Sequence, residues 1–208
     1  LRCKACQNDP QCGSFFFLGA RLQVRHFTIN GLQETSMIQI GDTLPDTTLM
    51  EFIEVEGNGC SLGPNPVQVG AATAGKTIAL FAVPGAFTPT CSAKHVPGFV
   101  EKAADFKAAG VDEIWCLAVN DAFVMGAWAR DQKSAGAVRM LADGDATFAK
   151  ATGLTLDLNG KGLGLRSNRY SMLVKNGKVI SLNIEAPGKF EVSDADTLLA
   201  QARTAAPN

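Results

Sequence analysis

Histidines are few in this chain, long apolar runs and glycine-rich nucleotide-binding motifs are lacking, and each shortage argues against a class of protein. Only two histidines occur among 208 residues, His26 and His95, and they are too few and too far apart to indicate a metal centre. No apolar run approaches the about 18 residues that span a bilayer. No Gly-x-Gly-x-x-Gly sequence is present, so a dinucleotide site is not predicted either. We therefore expect no cofactor and no metal.

Charge of one sign is also lacking. Nineteen basic residues stand against 20 acidic residues, for a formal net charge of −1, and the basic ones do not cluster. This composition carries no electrostatic footprint for nucleic acid. Hydrophobic residues make up 46% of the chain, which suits a globular protein with one sizeable core. We expect neither nucleic acid nor a membrane as a partner.

The cysteines do not form the pattern of a disulfide framework. Three of the six fall in the first twelve residues, whereas disulfide-rich domains are short and have densely distributed cysteines. The pattern predicts free or catalytic thiols in a reducing compartment, and we expect a cytoplasmic protein. The six are Cys3, Cys6, Cys12, Cys60, Cys91 and Cys116.

Residues 1–36 differ from the rest of the chain. They contain four basic and two acidic residues and no sustained periodicity, and Met37 then opens a compact pattern. We interpret residues 1–36 as an N-terminal extension that is disordered or not part of the mature domain. The alternative is a targeting peptide for an organelle such as the mitochondrion. Cys3-x-x-Cys6 follows no strand and opens no helix, so we interpret its cysteines as incidental.

From residue 37 onward, apolar strands alternate with amphipathic helices. This order predicts a parallel sheet covered on both faces, followed by a hairpin around Asn176-Gly177 and a last helix. The predicted fold class is α/β, thioredoxin-like, with a central mixed sheet flanked by helices in one domain over 37–208. Strands are predicted at 49–55, 66–69, 77–83, 113–119, 138–141, 169–174 and 179–184, and helices at 89–109, 122–132, 146–152 and 193–203.

The stretch that ends in Cys91 carries the strongest chemical signal. The apolar strand 77–83 is followed by Pro84-Gly-Ala-Phe-Thr-Pro-Thr-Cys91, which delivers a thiol to the first turn of a helix. The positive end of the helix dipole and unpaired backbone N–H groups favour a thiolate there. A buried structural cysteine is the alternative. The Thr88 hydroxyl is within reach of the sulfur, and the N–H of Thr90 points toward an approaching oxygen.

Four separated motifs resemble those of the peroxiredoxins, which are thiol peroxidases with a thioredoxin fold. The first is Pro84-x-x-x-Thr88-x-x-Cys91, and the longer string resembles the type II, peroxiredoxin-five-like subfamily. The resemblance covers the chain from about Met37 to the last helix and does not include residues 1–36. The other motifs are Lys94-His-Val-Pro-Gly-Phe99, Val119-Asn-Asp-Ala-Phe-Val-Met125 and Gly164-Leu-Arg-Ser-Asn-Arg-Tyr-Ser171.

The resemblance implies roles for particular residues. Cys91 would be the peroxidatic nucleophile, assisted by Thr88, Pro84 and an arginine. Arg169 fits the family's arginine because it precedes an aromatic residue and a serine, and Arg166 is the competing choice. Thr90 and His95 would bind the substrate, although a position on the helix surface is an open alternative for His95.

The resemblance also implies a thiol peroxidase for hydrogen peroxide and small organic hydroperoxides, commonly a homodimer. The reductant would be glutaredoxin with glutathione, or thioredoxin. Cys116 matches the resolving cysteine of plant-like members, and Cys60 is a further possibility, but residues 183–193 lack the resolving cysteine of mammalian-like members. The alternative function is a redox-sensing or chaperone-like thiol switch without efficient turnover. A disulfide oxidoreductase is disfavoured because Cys91-Ser-Ala-Lys94 has one cysteine.

Overall fold

The computed structural model describes residues 36–54 and 62–205. Most of the predicted N-terminal extension, the Cys3-x-x-Cys6 pair and Cys60 lie outside the described residues. Within those residues, no helix is long and apolar enough to cross a membrane.

A seven-stranded mixed sheet forms the centre of the described chain. Its strands are β1 (Thr48–Ile53), β2 (Gly63–Gln68), β3 (Thr77–Val83), β4 (Glu113–Ala118), β5 (Arg139–Ala142), β8 (Tyr170–Lys175) and β9 (Lys178–Ile184), and a separate hairpin contains β6 (Thr155–Leu158) and β7 (Gly164–Ser167). The strand order is β2-β1-β5-β4-β3-β8-β9. The three central strands β3, β4 and β5 are parallel, and the outer pairings are antiparallel. The predicted α/β class is confirmed.

Helices cover both faces of the sheet, which explains why its central strands β3, β4 and β5 are apolar after their first residue. The helices are α1 (Val69–Thr73), α2 (Val96–Glu101), α3 (Ala103–Ala108), α4 (Ala122–Asp131), α5 (Thr147–Ala151) and α6 (Ala195–Ala205). On β3, Ala79 and Phe81 face one hydrophobic cluster, whereas Ile78 and Leu80 face the other, as the two-residue period of a strand requires. The first cluster includes side chains of α2, α3, α4 and α6, and the second includes those of α1 and α5.

The helical region predicted over 89–109 is confirmed, but it is divided and is not one regular helix. Cys91–His95 forms a π-helical turn, and Lys102 adopts non-helical angles between α2 and α3. Pro97 gives a physical reason for the first irregularity. Proline has no N–H to donate to the carbonyl four residues earlier and its ring clashes with that carbonyl, so a widened turn before it relieves the conflict.

Two elements were not predicted, namely α1 and the β6–β7 hairpin. Both are short and lie between stronger signals. A signal for the hairpin is present in Asn159-Gly160, because Gly160 has φ +79°, a conformation that suits a turn. By contrast, the predicted bounds of β3 agree with the structure, and the side chain of Asp121 caps α4 as expected by accepting from the Val124 N–H at 2.9 Å.

Candidate active site

The strand register brings three distant parts of the sequence together at one edge of the sheet, where β3 and β4 end and β8 begins. Val83 ends β3 beside Ala118, the last residue of the parallel strand β4. On the other side, β8 runs antiparallel and pairs Tyr170 with Ala82, so Arg169 lies where β3 ends. The turn after β3 then leads to Cys91. Strand order therefore places Cys91 and Arg169, which are far apart in sequence, at the same edge.

Arg169 contacts Cys91 directly. Its Nη2 donates to the Cys91 sulfur at 3.3 Å. Cys91 itself has no exposed surface and belongs to the first hydrophobic cluster. This burial is what the alternative of a structural cysteine predicts. The Arg169 guanidinium on the sulfur is not, since a thiol in a hydrophobic core needs no cation. A positive donor on the sulfur stabilises a thiolate, the reactive form of cysteine.

The turn between Pro84 and Cys91 is held from the neighbouring strand. Asn120, which follows β4, accepts a hydrogen bond from the Ala86 N–H at 3.0 Å. Phe87 adopts φ +60°, an unusual conformation for a residue with a side chain, and is 54% exposed. The Thr88 hydroxyl donates to the Gly85 carbonyl at 2.9 Å. Because a hydroxyl has one proton, the expected Thr88 donation to sulfur is not formed in this state.

Arg166, the competing arginine, supports the backbone instead of the sulfur. Its Nη1 donates to the Val119 carbonyl at 3.1 Å, and its Nε donates to the Leu163 carbonyl at 2.7 Å. A Cβ atom at Gly85 would lie 3.2 Å from the same Nη1, so Arg166 also packs against the turn before Cys91. Of the two arginines, Arg169 is therefore the one that contacts the Cys91 sulfur.

His95 is buried, at 1% exposure, which contradicts the helix-surface alternative. Its Nδ1 lies 3.0 Å from Arg169 Nη1, and its Nε2 lies 2.9 Å from the Ser193 carbonyl oxygen. Because arginine only donates and a carbonyl only accepts, the ring must be neutral with its proton on Nε2. Burial, followed by the charge of Arg169, lowers the pKa of His95 to about 3.

The substrate-binding role predicted for His95 stays a prediction. In the structure both ring nitrogens are engaged within the protein, by Arg169 and by the Ser193 carbonyl. The segment that approaches His95 was not identified from the sequence. It contributes Ser193 and Phe190, whose ring lies 4.8 Å from the His95 ring and 5.6 Å from the Arg169 guanidinium carbon. Only a contact map could reveal these partners, since they lie about a hundred residues from His95.

Cys116 has a different environment. It lies inside β4 between Phe81 of β3 and Met140 of β5, with no exposed surface. Burial, with a smaller contribution from Cys91, raises the pKa of the Cys116 thiol well above its ordinary value. The resolving role that the resemblance implies for Cys116 therefore stays a prediction.

Thr90 precedes the π-helical turn in helical conformation and is partly exposed.

A cavity of about 840 Å³ occurs elsewhere, around Glu51, Lys107 and Arg139, and none of the site residues named above lines it. Its position at the start of β4 and β5 is opposite the edge where β3 delivers Cys91. The chemistry-bearing residues therefore define the candidate site, and the large cavity does not.

A buried thiol with an arginine on its sulfur, at the end of a central strand of a helix-covered mixed sheet, defines a thiol-based redox protein of thioredoxin-like fold. Comparison with known proteins gives the family. The model of the Redoxin family matches residues 39–199. Peroxiredoxin-2B of Arabidopsis thaliana is 47% identical over 162 residues, which cover 78% of this chain and 96% of the relative.

Solved structures agree. The reduced Prx3 of Vibrio vulnificus in complex with H2O2 is 50% identical with a TM-score of 0.74, covering 80% of this chain and 99% of that one. Peroxiredoxin 5 of Alvinella pompejana is 31% identical with a TM-score of 0.68, over 80% and 99% of the two chains. The chain therefore belongs to the redoxin family, as a peroxiredoxin of the type II, peroxiredoxin-five-like group. Its relatives among the peroxiredoxins support thiol-dependent peroxidase activity for the chain.

Proposed function

We propose that this protein reduces hydrogen peroxide and small organic hydroperoxides at Cys91, and that an external thiol regenerates it. The contact between Arg169 Nη2 and the Cys91 sulfur, at 3.3 Å, carries the proposal. Among the two cysteines that the structure describes, Cys91 is the one with a cation on its sulfur. The similarity to a Prx3 structure that contains H2O2 supports the substrate class.

In the proposed reaction, the Cys91 thiolate attacks the terminal oxygen of ROOH. The sulfur–oxygen bond forms as the O–O bond breaks, which leaves a sulfenic acid on Cys91 and an alkoxide that takes up a proton to become ROH. Sulfur is oxidised and the peroxide is reduced. The negative charge moves from sulfur to the departing oxygen during this step.

Donors that already surround the thiolate can follow that charge. Arg169 carries five N–H groups in a planar fork, of which one contacts sulfur and another contacts His95. We assign Arg169 to binding the peroxide oxygens and stabilising the charge, with the N–H groups of Thr90 and Cys91 as further donors. We assign Thr88 to orienting the peroxide through its hydroxyl, and Pro84 to fixing the start of the turn.

The sulfenic acid is then reduced by glutathione with glutaredoxin, or by thioredoxin. A reductant thiol displaces the hydroxyl as water to form a mixed disulfide, and a second thiol releases the Cys91 thiol. The fully buried position of Cys116 in a central strand supports an external reductant over resolution by Cys116. The free thiols of Cys91 and Cys116 suit a reducing compartment such as the cytoplasm.

Exposed aromatic side chains at the same edge support a homodimer. Phe87 is 54% exposed in the turn before Cys91, and Phe123 is 64% exposed at the start of α4, which follows β4. Contiguous exposed apolar surface marks association sites, and we propose that both rings belong to such a surface in the dimer. Sedimentation analysis tests this part of the proposal, and a monomer at all working concentrations would contradict it.

The whole proposal is tested by following peroxide consumption with each reductant in turn. Wild-type protein should turn over repeatedly with at least one of them, and Cys91→Ser should abolish consumption because the nucleophile is lost. Retention of most of the rate in Cys91→Ser would sink the assignment. A wild-type protein that is oxidised once and then reduced too slowly to cycle would indicate the thiol-switch alternative.

A further inference from the structure

Glu185, which directly follows β9, makes an unusual set of contacts. One of its carboxylate oxygens, Oε1, accepts four hydrogen bonds from a segment six to eight residues further along the chain. The side chain is 6% exposed. The donors are the backbone N–H groups of Glu191, Val192 and Ser193, each at 2.8 Å, and the Ser193 hydroxyl at 2.9 Å.

These contacts belong to a ring of hydrogen bonds that passes through Arg169, and Arg169 also contacts the Cys91 sulfur. The Glu185 N–H donates to the Arg169 carbonyl at 3.0 Å, so backbone pairing fixes Glu185 beside the arginine. Its carboxylate holds Ser193, whose carbonyl accepts from His95 Nε2 at 2.9 Å. His95 Nδ1 accepts from Arg169 Nη1 at 3.0 Å, and Arg169 Nη2 reaches Cys91 at 3.3 Å.

We propose that Glu185 is a positioning residue for the Cys91–Arg169 pair, acting through Ser193 and His95. Its carboxylate fixes the backbone of residues 191–193, which sets the Ser193 carbonyl and thereby the orientation of the His95 ring. The unprotonated Nδ1 of that ring then holds one branch of the guanidinium, which leaves the other branch aimed at sulfur. The inference rests on the proposed roles of Cys91 and Arg169.

The carboxylate suits this task better than a neutral side chain. Three backbone N–H groups that converge on one buried atom need a strong acceptor, because a buried N–H without a partner is costly. Burial alone would raise the pKa of Glu185, but the N–H groups of Val192, Ser193 and Glu191 outweigh it and hold that pKa below its usual range. The group is therefore ionised at neutral pH.

Phe190 gives the same segment a second contact with the site. Its ring lies 4.8 Å from His95 and 5.6 Å from the Arg169 guanidinium carbon, so it limits the movement of both. On the far side, Asp194 accepts from the Thr197 N–H at 3.0 Å and secures the start of α6. Segment 190–194 is thus held at one end by Phe190 and at the other by Asp194, and Glu185 holds residues 191–193 between them.

The test compares Glu185→Ala with Glu191→Ala. The Glu191 side chain is 63% exposed and pairs with Lys189, so its loss keeps the backbone N–H and serves as a matched control on the same segment. We expect Glu185→Ala to slow the oxidation of Cys91 by hydrogen peroxide by about tenfold or more, since small misplacements of reacting groups cost rate. Glu191→Ala should react like the wild type.

A double-mutant cycle with Arg169→Ala separates positioning from a general structural role. If Glu185 acts through Arg169, Glu185→Ala should cost little further rate once the guanidinium is gone. A loss that persists in full in the Arg169→Ala background would overturn the proposal, and so would an unchanged rate in Glu185→Ala. If Glu185→Ala does not fold, Glu185→Gln carries the test, with a smaller loss expected because it keeps an acceptor but loses the charge.

The rate at which hydrogen peroxide oxidises Cys91 in the wild-type protein is the reference for these variants, and it separates failure of the proposed function from failure of the positioning role. If the wild-type thiol does not react with hydrogen peroxide, the proposed function fails. If it reacts and Glu185→Ala reacts equally fast, only the positioning role fails.

Discussion

The two cysteines that the structure describes are equally buried, yet their surroundings differ. Cys91 and Cys116 both have no exposed surface and lie in the same hydrophobic cluster. Cys91 begins the π-helical turn that follows β3 and the segment 84–90, and its sulfur accepts an N–H from Arg169. Cys116 lies inside a strand among apolar side chains, and burial raises the pKa of its thiol. Burial therefore does not distinguish the two thiols, whereas contact with a cation does.

Removing the Arg169 guanidinium should have the largest effect on the difference in reactivity that we expect between Cys91 and Cys116. We expect Arg169→Ala to slow the oxidation of Cys91 by ~100-fold or more, by analogy with the loss of one oxyanion donor. Rapid-mixing measurements with hydrogen peroxide give the rate, and circular dichroism checks that the fold is intact. Arg166→Ala is the matched control, since Arg166 donates to the Val119 and Leu163 carbonyls. If Arg166→Ala is the more severe variant, the arginine is wrongly assigned.

A smaller effect should appear in the pH dependence of stability, because His95 is neutral in the folded protein. Its pKa is about 3 there and about 6.5 when unfolded, so the unfolded chain binds one more proton between these values. Stability should fall as pH falls through this window. Glu185 and Asp194 also face His95, and their pKa values are lowered, so they add to the loss only in the more acidic part.

Urea denaturation at several pH values between about 7.5 and 5 isolates the histidine, since carboxyl groups titrate mainly below that range. His95→Gln should lose the slope that wild-type protein shows, and His26 is present in both proteins and cancels. The same slope in both proteins would contradict a neutral, buried His95.

Local signals in the sequence were enough to predict the residues around Cys91. The strand Thr77–Val83 and the proline-bearing turn are contiguous, and each follows from composition and spacing. Arg169 was predicted through resemblance to a family, and its contact with sulfur agrees with the register of β3 and β8. The helix predicted over 89–109 is present but irregular, and its π-helical turn precedes the one proline inside the amphipathic pattern, Pro97.

The supporting residues could not be predicted, for a physical reason. Glu185, Phe190 and Ser193 act through backbone conformation and long-range contacts, and no short pattern encodes these. His95 was assigned to the substrate because it lies near Cys91 in sequence, whereas its ring faces Arg169 and Ser193 in the core. Asn120 lies within the motif Val119–Met125, but its contact with the Ala86 N–H depends on the pairing of β3 with β4, which the motif does not encode.

The central claim is that Cys91, and not Cys116, reacts with peroxide and remains available to an external reductant. The most direct measurement is to treat the reduced protein with one equivalent of hydrogen peroxide, trap sulfenic acid with dimedone and locate the adduct by mass spectrometry. We predict an adduct on Cys91 with Cys116 still a free thiol. An adduct on Cys116, or a Cys91–Cys116 disulfide in place of the trapped sulfenic acid, would contradict the claim.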